Sequence, residues 1–279
     1  MPLTQPRSAS ASPRTNWGLI ALIIAFVAVA VIATLSRQRP RTAFSAAAKP
    51  TEGTAMKLPP VPSYTVRRTT QPIKIDGALD EPAWGRIKPI AFILHDASRP
   101  PRVKTEAKLC WDDKHLYVAF WCEDKDIFNT YTKRDEPLYE QDVAEIFINP
   151  SGDLVNYYEL EVSPRNVIWD GKIYNPEGAA VKSTRYDPKW NCAGLMTAVH
   201  LDGTLDDHTD VDRMWSVEMA IPFASIAKTP ADGEEWRANL YRIDRGKPDE
   251  FYCWSQTQGR GQTPSFHVPA RLGRLVFSK

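Results

Sequence analysis

The sequence predicts an all-β protein, a β-sandwich of the jelly-roll kind with a few short helices, preceded by a single transmembrane helix. Three observations carry that prediction. Short runs rich in β-branched and aromatic residues recur from Ile73 to the C-terminus, divided by Asp, Gly and Pro. These runs are of similar length and few helical segments interrupt them, which points to stacked sheets. Ahead of them, Trp17 to Leu35 is a 19-residue stretch without a charge.

At about 1.5 Å per residue, a helix of that length approaches the roughly 30 Å hydrocarbon thickness of a bilayer. It exceeds the usual apolar region of a cleaved signal peptide, so it reads as an anchor. Residues 1–16 before it form a tail expected to be disordered. Residues 36–63 after it carry Pro40, Pro50, Pro59, Pro60 and Pro62 and read as a semi-extended linker. Arg7 and Arg14 precede the span and Arg37, Arg39 and Arg41 follow it, so the positive-inside rule leans slightly toward a cytoplasmic C-terminal side.

The remaining 64–279 is one domain. Ile73 and Ile75 are expected to form a short strand that reverses at Asp76-Gly77, where Gly tolerates a positive φ. Asp80 is the expected N-cap of a helical turn with Pro82 in its first turn, and Trp84 folds back onto the core. Glu106 to Leu109 and Leu116 to Trp121 form a hairpin about Asp112-Asp113-Lys114. From Glu145 onward the segment EQDVAEIFINP alternates, so Glu145 and Phe147 share one side of a strand. Further strands are expected over Tyr157 to Val162, Leu195 to Leu201, Trp215 to Ala220, Arg237 to Ile243, Phe251 to Ser255 and Leu272 to Phe277, with a short helix from Pro222 to Ile226.

The balance of 35 basic and 34 acidic residues leaves no field for nucleic acid. Cys110, Cys122, Cys192 and Cys253 permit two disulfides in an oxidising compartment, or four buried thiols, and the spacing does not choose. With no CxxC and no metal-ligand spacing among the five His, no metal site is assigned.

Six segments in order resemble the family 9 carbohydrate-binding modules and their looser relatives: IDGALDEPAW, WDDKHLYVAF, EQDVAEIFINP, NYYELEVSP, RMWSVEMAIPFASI and ARLGRLVFSK. The resemblance implies a non-catalytic domain that grips a polysaccharide or sugar end, beside glycoside hydrolases on other chains. It also places the domain outside the cytoplasm, against the lean of the Arg count. In the family a pair of Trp clamps a terminal sugar; those positions fall on Tyr139, just ahead of the EQDVAEIF strand, and Phe266, in the Gly- and Pro-bearing loop GQTPSFHVPARLG, so neither need point into the core. Glu145 matches the family's carboxylate beside the clamp, Glu161 stands where the family has an Arg, and Tyr241 where it has a Gln. Stacking plates and a carboxylate accepting from two hydroxyls suit a sugar. Each residue also has a plain alternative: packing aromatics, a solvated sheet-face Glu, a half-buried structural Tyr. Arg242 and Asp244 are expected to pair as ions.

No cofactor is required, although the acid-rich stretch from Asp202 to Asp212, read with the family's structural calcium, leaves that ion open. Two other functions compete. One is an adhesion or scaffold sandwich without sugar affinity. The other is a glycosidase pairing Glu145 with Glu159 or Glu161.

Overall fold

The computed structural model describes residues 57–178, 184–187 and 189–279. Fourteen strands lie among them. In chain order they begin with β1 (Ser63–Arg68), a helical turn α1 (Pro82–Gly85), β2 (Ile90–Ala91), β3 (Ile93–Leu94) and the hairpin β4 (Thr105–Trp111) and β5 (His115–Glu123). A meander follows of β6 (Val143–Asn149), β7 (Asn156–Val162), β8 (Ile168–Tyr174) and β9 (Arg185–Asp187). Then come β10 (Met196–Asp202), β11 (Met214–Pro222), α2 (Phe223–Ile226), β12 (Glu235–Asp244), β13 (Glu250–Cys253) and β14 (Gly273–Ser278).

The strands run β10-β11-β5-β4-β1-β14-β12-β6-β7-β8-β9 across one hydrogen-bonded sheet. Its two halves meet at β1 and β14, which are parallel, with Ser63 opposite Arg274. The sheet closes on itself as a sandwich: Leu109, Val118, Phe120 and Val217 of one half share a single buried cluster with Ile146, Leu160 and Leu240 of the other. Here the period of two in β6 becomes visible. Ala144, Ile146 and Ile148 enter that core, while Val143 and Phe147 belong to a second cluster on the opposite face, with Tyr157, Ile173, Tyr241 and Phe266. The functional site lies on this second face.

The predicted hairpin forms, its turn closed by Asp112 Oδ1, which accepts from the backbone N–H of Lys114 and His115. Ile73 to Ile75, expected as a strand, joins no ladder. Carboxylates hold this stretch and the turn after it instead: Glu81 accepts from Lys74 N, and Glu218 accepts from Asp76 N and Gly77 N in the turn. Gly77 has the positive φ expected, 85°, and a Cβ there would lie 2.6 Å from backbone atoms of Val199 and His200. Helix α1 starts one residue later than expected, with Glu81 rather than Asp80 flanking it. Pro82 forces the preceding residue into an extended conformation, so the helix opens at the proline itself. Trp84 is buried, and its indole N–H donates to Glu218 Oε1 at 2.7 Å.

Arg242 is wholly buried, and its nearest carboxylate is Asp124 at 2.8 Å, while Asp244, the expected ion-pair partner, lies at 3.8 Å. All four cysteines are free and buried. The expected anchor at 17–35, the tail at 1–16 and most of the linker lie outside the described residues, within which no helix is long and apolar enough to cross a membrane.

Candidate functional site: an acidic, aromatic cleft

Register builds the site. Across β12, β6, β7 and β8, Tyr241 stands opposite Glu145, Glu145 opposite Glu161, and Glu161 opposite Trp169. One row further along, Asn239, Phe147, Glu159 and Gly171 follow the same order. Side chains two apart on a strand share a face, so Glu145, Glu159 and Glu161 converge on the outer face of the sheet. Gly171 matters to its neighbour: a Cβ there would meet the Trp169 ring at 2.7 Å, so only glycine lets that ring lie along the sheet.

Above this face is a cleft of about 680 Å³. Its base carries the three glutamates with Phe147 and Ile173, and its walls are Tyr139, Trp169, Tyr186, Phe251, Phe266 and His267. Four of the five residues expected from sequence, Tyr139, Glu145, Glu161 and Phe266, line it together. The fifth does not: Tyr241 is wholly buried, its ring stacked on Phe266 at 4.2 Å and 14°, its hydroxyl donating to the Phe266 carbonyl. Tyr241 therefore sets the position of Phe266 from beneath, and burial raises its phenol well above the ordinary value.

The two expected plates differ in character. Tyr139 is 53 % exposed on a 3-10 turn, Leu138–Glu140, whose Tyr139 carbonyl is held by the Arg245 guanidinium. Phe266 is 8 % exposed, with one face covered by Tyr241. The Gly- and Pro-bearing loop expected to leave Phe266 free instead packs down on the sheet: Asn175 donates to the His267 carbonyl, and the Tyr157 hydroxyl lies 2.8 Å from His267 Nδ1.

The glutamates are the unusual part. Glu145, Glu159 and Glu161 are 2 %, 5 % and 2 % exposed, and one oxygen from each lies within 4.8 Å of the others. Glu145 Oε1, Glu159 Oε2 and Glu161 Oε2 have no hydrogen-bond partner. Burial, then the charge of the neighbouring glutamate, pushes all three carboxyls well above the ordinary range. Two full charges about 4.8 Å apart repel by roughly 3.5 kcal/mol at an effective dielectric near 20, so the cluster by itself favours a shared proton over full ionisation. No Lys or Arg lines the cleft among the described residues. His267 Nε2 lies 4.0 Å from Glu159, and burial pulls its imidazole down to about 4, leaving it neutral near pH 7.

Sequence reasoning named Glu159 only as a possible partner of Glu145 in a glycosidase, not among the sugar-binding residues, and missed Trp169 altogether. The signal for Glu159 was its spacing of two from Glu161 on one strand; Trp169 needed the register of β7 on β8. In the acid-rich stretch 202–212 several carboxylates meet protein donors. Asp212 accepts from Ile127 N and Thr204 N, Asp206 from Asn129 N and Arg165, and Asp202 pairs with Arg213.

Comparison with known proteins agrees with this architecture. An extracellular protein of Arthroderma benhamiae is 25 % identical over 197 residues, covering 67 % of this chain and 86 % of that protein. Endo-1,4-beta-xylanase A of Thermoanaerobacterium saccharolyticum is 28 % identical over 207 residues, but these make up 15 % of its length. Among solved structures, a Bacteroides uniformis protein superposes with a TM-score of 0.62 at 17 % identity, over 78 % of this chain and 100 % of its own. A family 9 carbohydrate-binding module of Caldicellulosiruptor kristjanssonii, in complex with cellotriose, gives 0.52 at 17 % identity, over 77 % and 93 %. The model of the carbohydrate family 9 binding domain-like proteins matches residues 75–279, which hold every strand of the sheet but β1 together with the whole cleft, and the chain belongs to that family.

Proposed function

We propose that this chain is a non-catalytic carbohydrate-binding domain that holds a polysaccharide or sugar end in the cleft above β6, β7 and β8, in the service of polysaccharide degradation. The observation that carries the reading is the combination, in one cleft of a family 9-like fold, of aromatic walls with buried carboxylate oxygens that no protein group satisfies. Aromatic faces suit the C–H faces of a pyranose, and unpartnered acceptors suit its hydroxyls. Tyr139 is the exposed plate; Phe266, backed by Tyr241, is the fixed one. Residues 17–35 anchor the chain in a membrane, the domain faces away from the cytoplasm, and glycoside hydrolases on other chains act on the bound glycan. The reading needs no cofactor, and a structural calcium would add only rigidity.

Hydrolysis by the chain itself fits less well. A glycosidase works with one carboxyl protonated and its partner ionised, whereas here all three are pushed upward, the opposing pull of Arg245 on Glu145 being outweighed by burial and by the charge of Glu161.

A glycan array with the full-length chain, kept in a detergent without a sugar headgroup, tests the reading. Binding to at least one plant or bacterial glycan is expected. Tyr139→Ala should weaken it about tenfold, the ratio given by ~1.4 kcal/mol of lost stacking. Failure to bind any glycan would leave an adhesion or scaffold domain; release of reducing sugar would make the chain an enzyme.

A further inference from the structure

We infer that the cleft selects a cationic sugar, one bearing a free amino group, and that Glu145, Glu159 and Glu161 hold its ammonium. This rests on the carbohydrate reading and narrows it to a ligand class. A site for neutral sugars gains from mixed donors and acceptors, because a hydroxyl both gives and takes a hydrogen bond. This one is weighted toward negative acceptors: four carboxylates line it, Asp135 being the fourth, against no Lys or Arg among the described residues, and its side-chain donors are neutral ones such as Tyr139, Trp169, Tyr186 and Ser265. Three of the four are more than nine-tenths buried, and each has an oxygen without a partner.

An ammonium has three N–H donors and no acceptor. Three oxygens within 4.8 Å of one another leave room for a nitrogen about 2.8 Å from each, the usual length of a charge-assisted bond. A calcium ion would also fit between three oxygens, but it takes six to eight. Around the cluster the described cleft offers mainly rings and aliphatic side chains: Phe147, Trp169, Ile173, Ile243, Phe251 and Phe266. Those surfaces suit the ring of a sugar whose amine points into the acidic base, and they add cation–π attraction. The position where the resemblance implies an Arg carries Glu161 instead, which reverses the charge the cleft shows its ligand.

Isothermal titration of the full-length chain, in the same kind of detergent, tests the inference with three trisaccharides at about pH 6, where an amine stays protonated. These are glucosamine trimer, its N-acetylated form and cellotriose, each measured with calcium and with EDTA. Glucosamine trimer is expected to bind at least tenfold tighter than the other two, with or without EDTA. Glu159→Gln and Glu161→Gln, each checked for an intact thermal transition, should bring that ratio toward one. Binding should also release protons, because the cluster gives them up to face the ammonium, so the apparent enthalpy will differ between buffers of different ionisation enthalpy. Equal binding of glucosamine trimer and cellotriose overturns the inference and leaves the carbohydrate reading standing. So does a preference that survives both substitutions, or binding that needs calcium. Binding of none of the three, together with an empty glycan array, overturns both.

Discussion

Among the described residues two clusters bring oxygens of three carboxylates within 4.8 Å of one another, and they are built to opposite ends. Around Glu218, with Asp76 and Glu81, the acid is met from all sides: Oε2 accepts from the N–H of Asp76 and of Gly77, and Oε1 from the Trp84 indole. Around Glu145, with Glu159 and Glu161, an oxygen of each acid is buried and unmet. Burial raises the pKa in both places, but at Glu218 three donors pull against it, and at the cleft almost nothing does. The first cluster fastens a segment that has no strand of its own to the sheet. The second lines an open cleft, with an oxygen of each acid left without a donor. Buried acids with donors hold a fold together; buried acids without them are held for something else.

Opposite signs of mutational effect would sharpen that contrast. The largest change is expected from Glu218→Ala, which strands two backbone N–H groups and an indole N–H in the interior. A loss of about 3–5 kcal/mol in denaturant unfolding is expected, and a loss under 1 kcal/mol would show that the carboxylate is not what pins Ile73 to Trp84.

Glu161→Gln should do the reverse and stabilise the ligand-free domain by about 1 kcal/mol near pH 7, because it removes one of three mutually repelling buried acids. The sign with pH follows from the raised carboxyl: its contribution is fully present below the ordinary value near 4.5 and lost as pH rises through the raised one. The gain from Glu161→Gln should therefore grow between pH 5 and pH 8. His267, whose folded value is lowered to about 4, acts oppositely, its contribution being present above about 6.5 and lost as pH falls toward 4. It is common to both proteins and cancels in their difference. Thermal melts of the two at several pH values decide the matter; a flat difference would mean that the cluster is not strained by its own charge.

Much of this was legible in the sequence, where chemistry acts over a few residues. Asp112-Asp113-Lys114 announced the hairpin, and alternation in EQDVAEIFINP put Glu145 and Phe147 on one face. What stayed hidden was non-local. Strand β8, with Trp169 and Gly171, matters only through its register on β7, and Glu159 becomes a ligand-facing residue only when β6 pairs beside it. Ile73 to Ile75 misled because Lys74 N bonds to Glu81 and the turn that follows is tied to Glu218, far along the chain, rather than to a neighbouring strand. Phe266 misled because Gly and Pro in its loop describe the backbone, not the tyrosine waiting beneath the ring.

The smallest effect concerns that support. Tyr241→Phe keeps the stack under Phe266 but removes the hydroxyl that donates to its carbonyl, so a loss of about 1 kcal/mol in stability is expected. Any loss of sugar affinity in Tyr241→Phe, measured beside Tyr139→Ala, would report how firmly the fixed plate must be held.

The parallel seam of β1 and β14 has a mechanical consequence. Five paired positions, from Ser63 with Arg274 to Arg67 with Ser278, join the first strand of the domain to its last. A pull along β1 from its N-terminal end, resisted by a polymer lodged over β6 to β8, crosses this ladder with its bonds loaded together in shear rather than opened one after another. Traction on the chain would thus meet the β1–β14 ladder in shear before it reached β6 to β8.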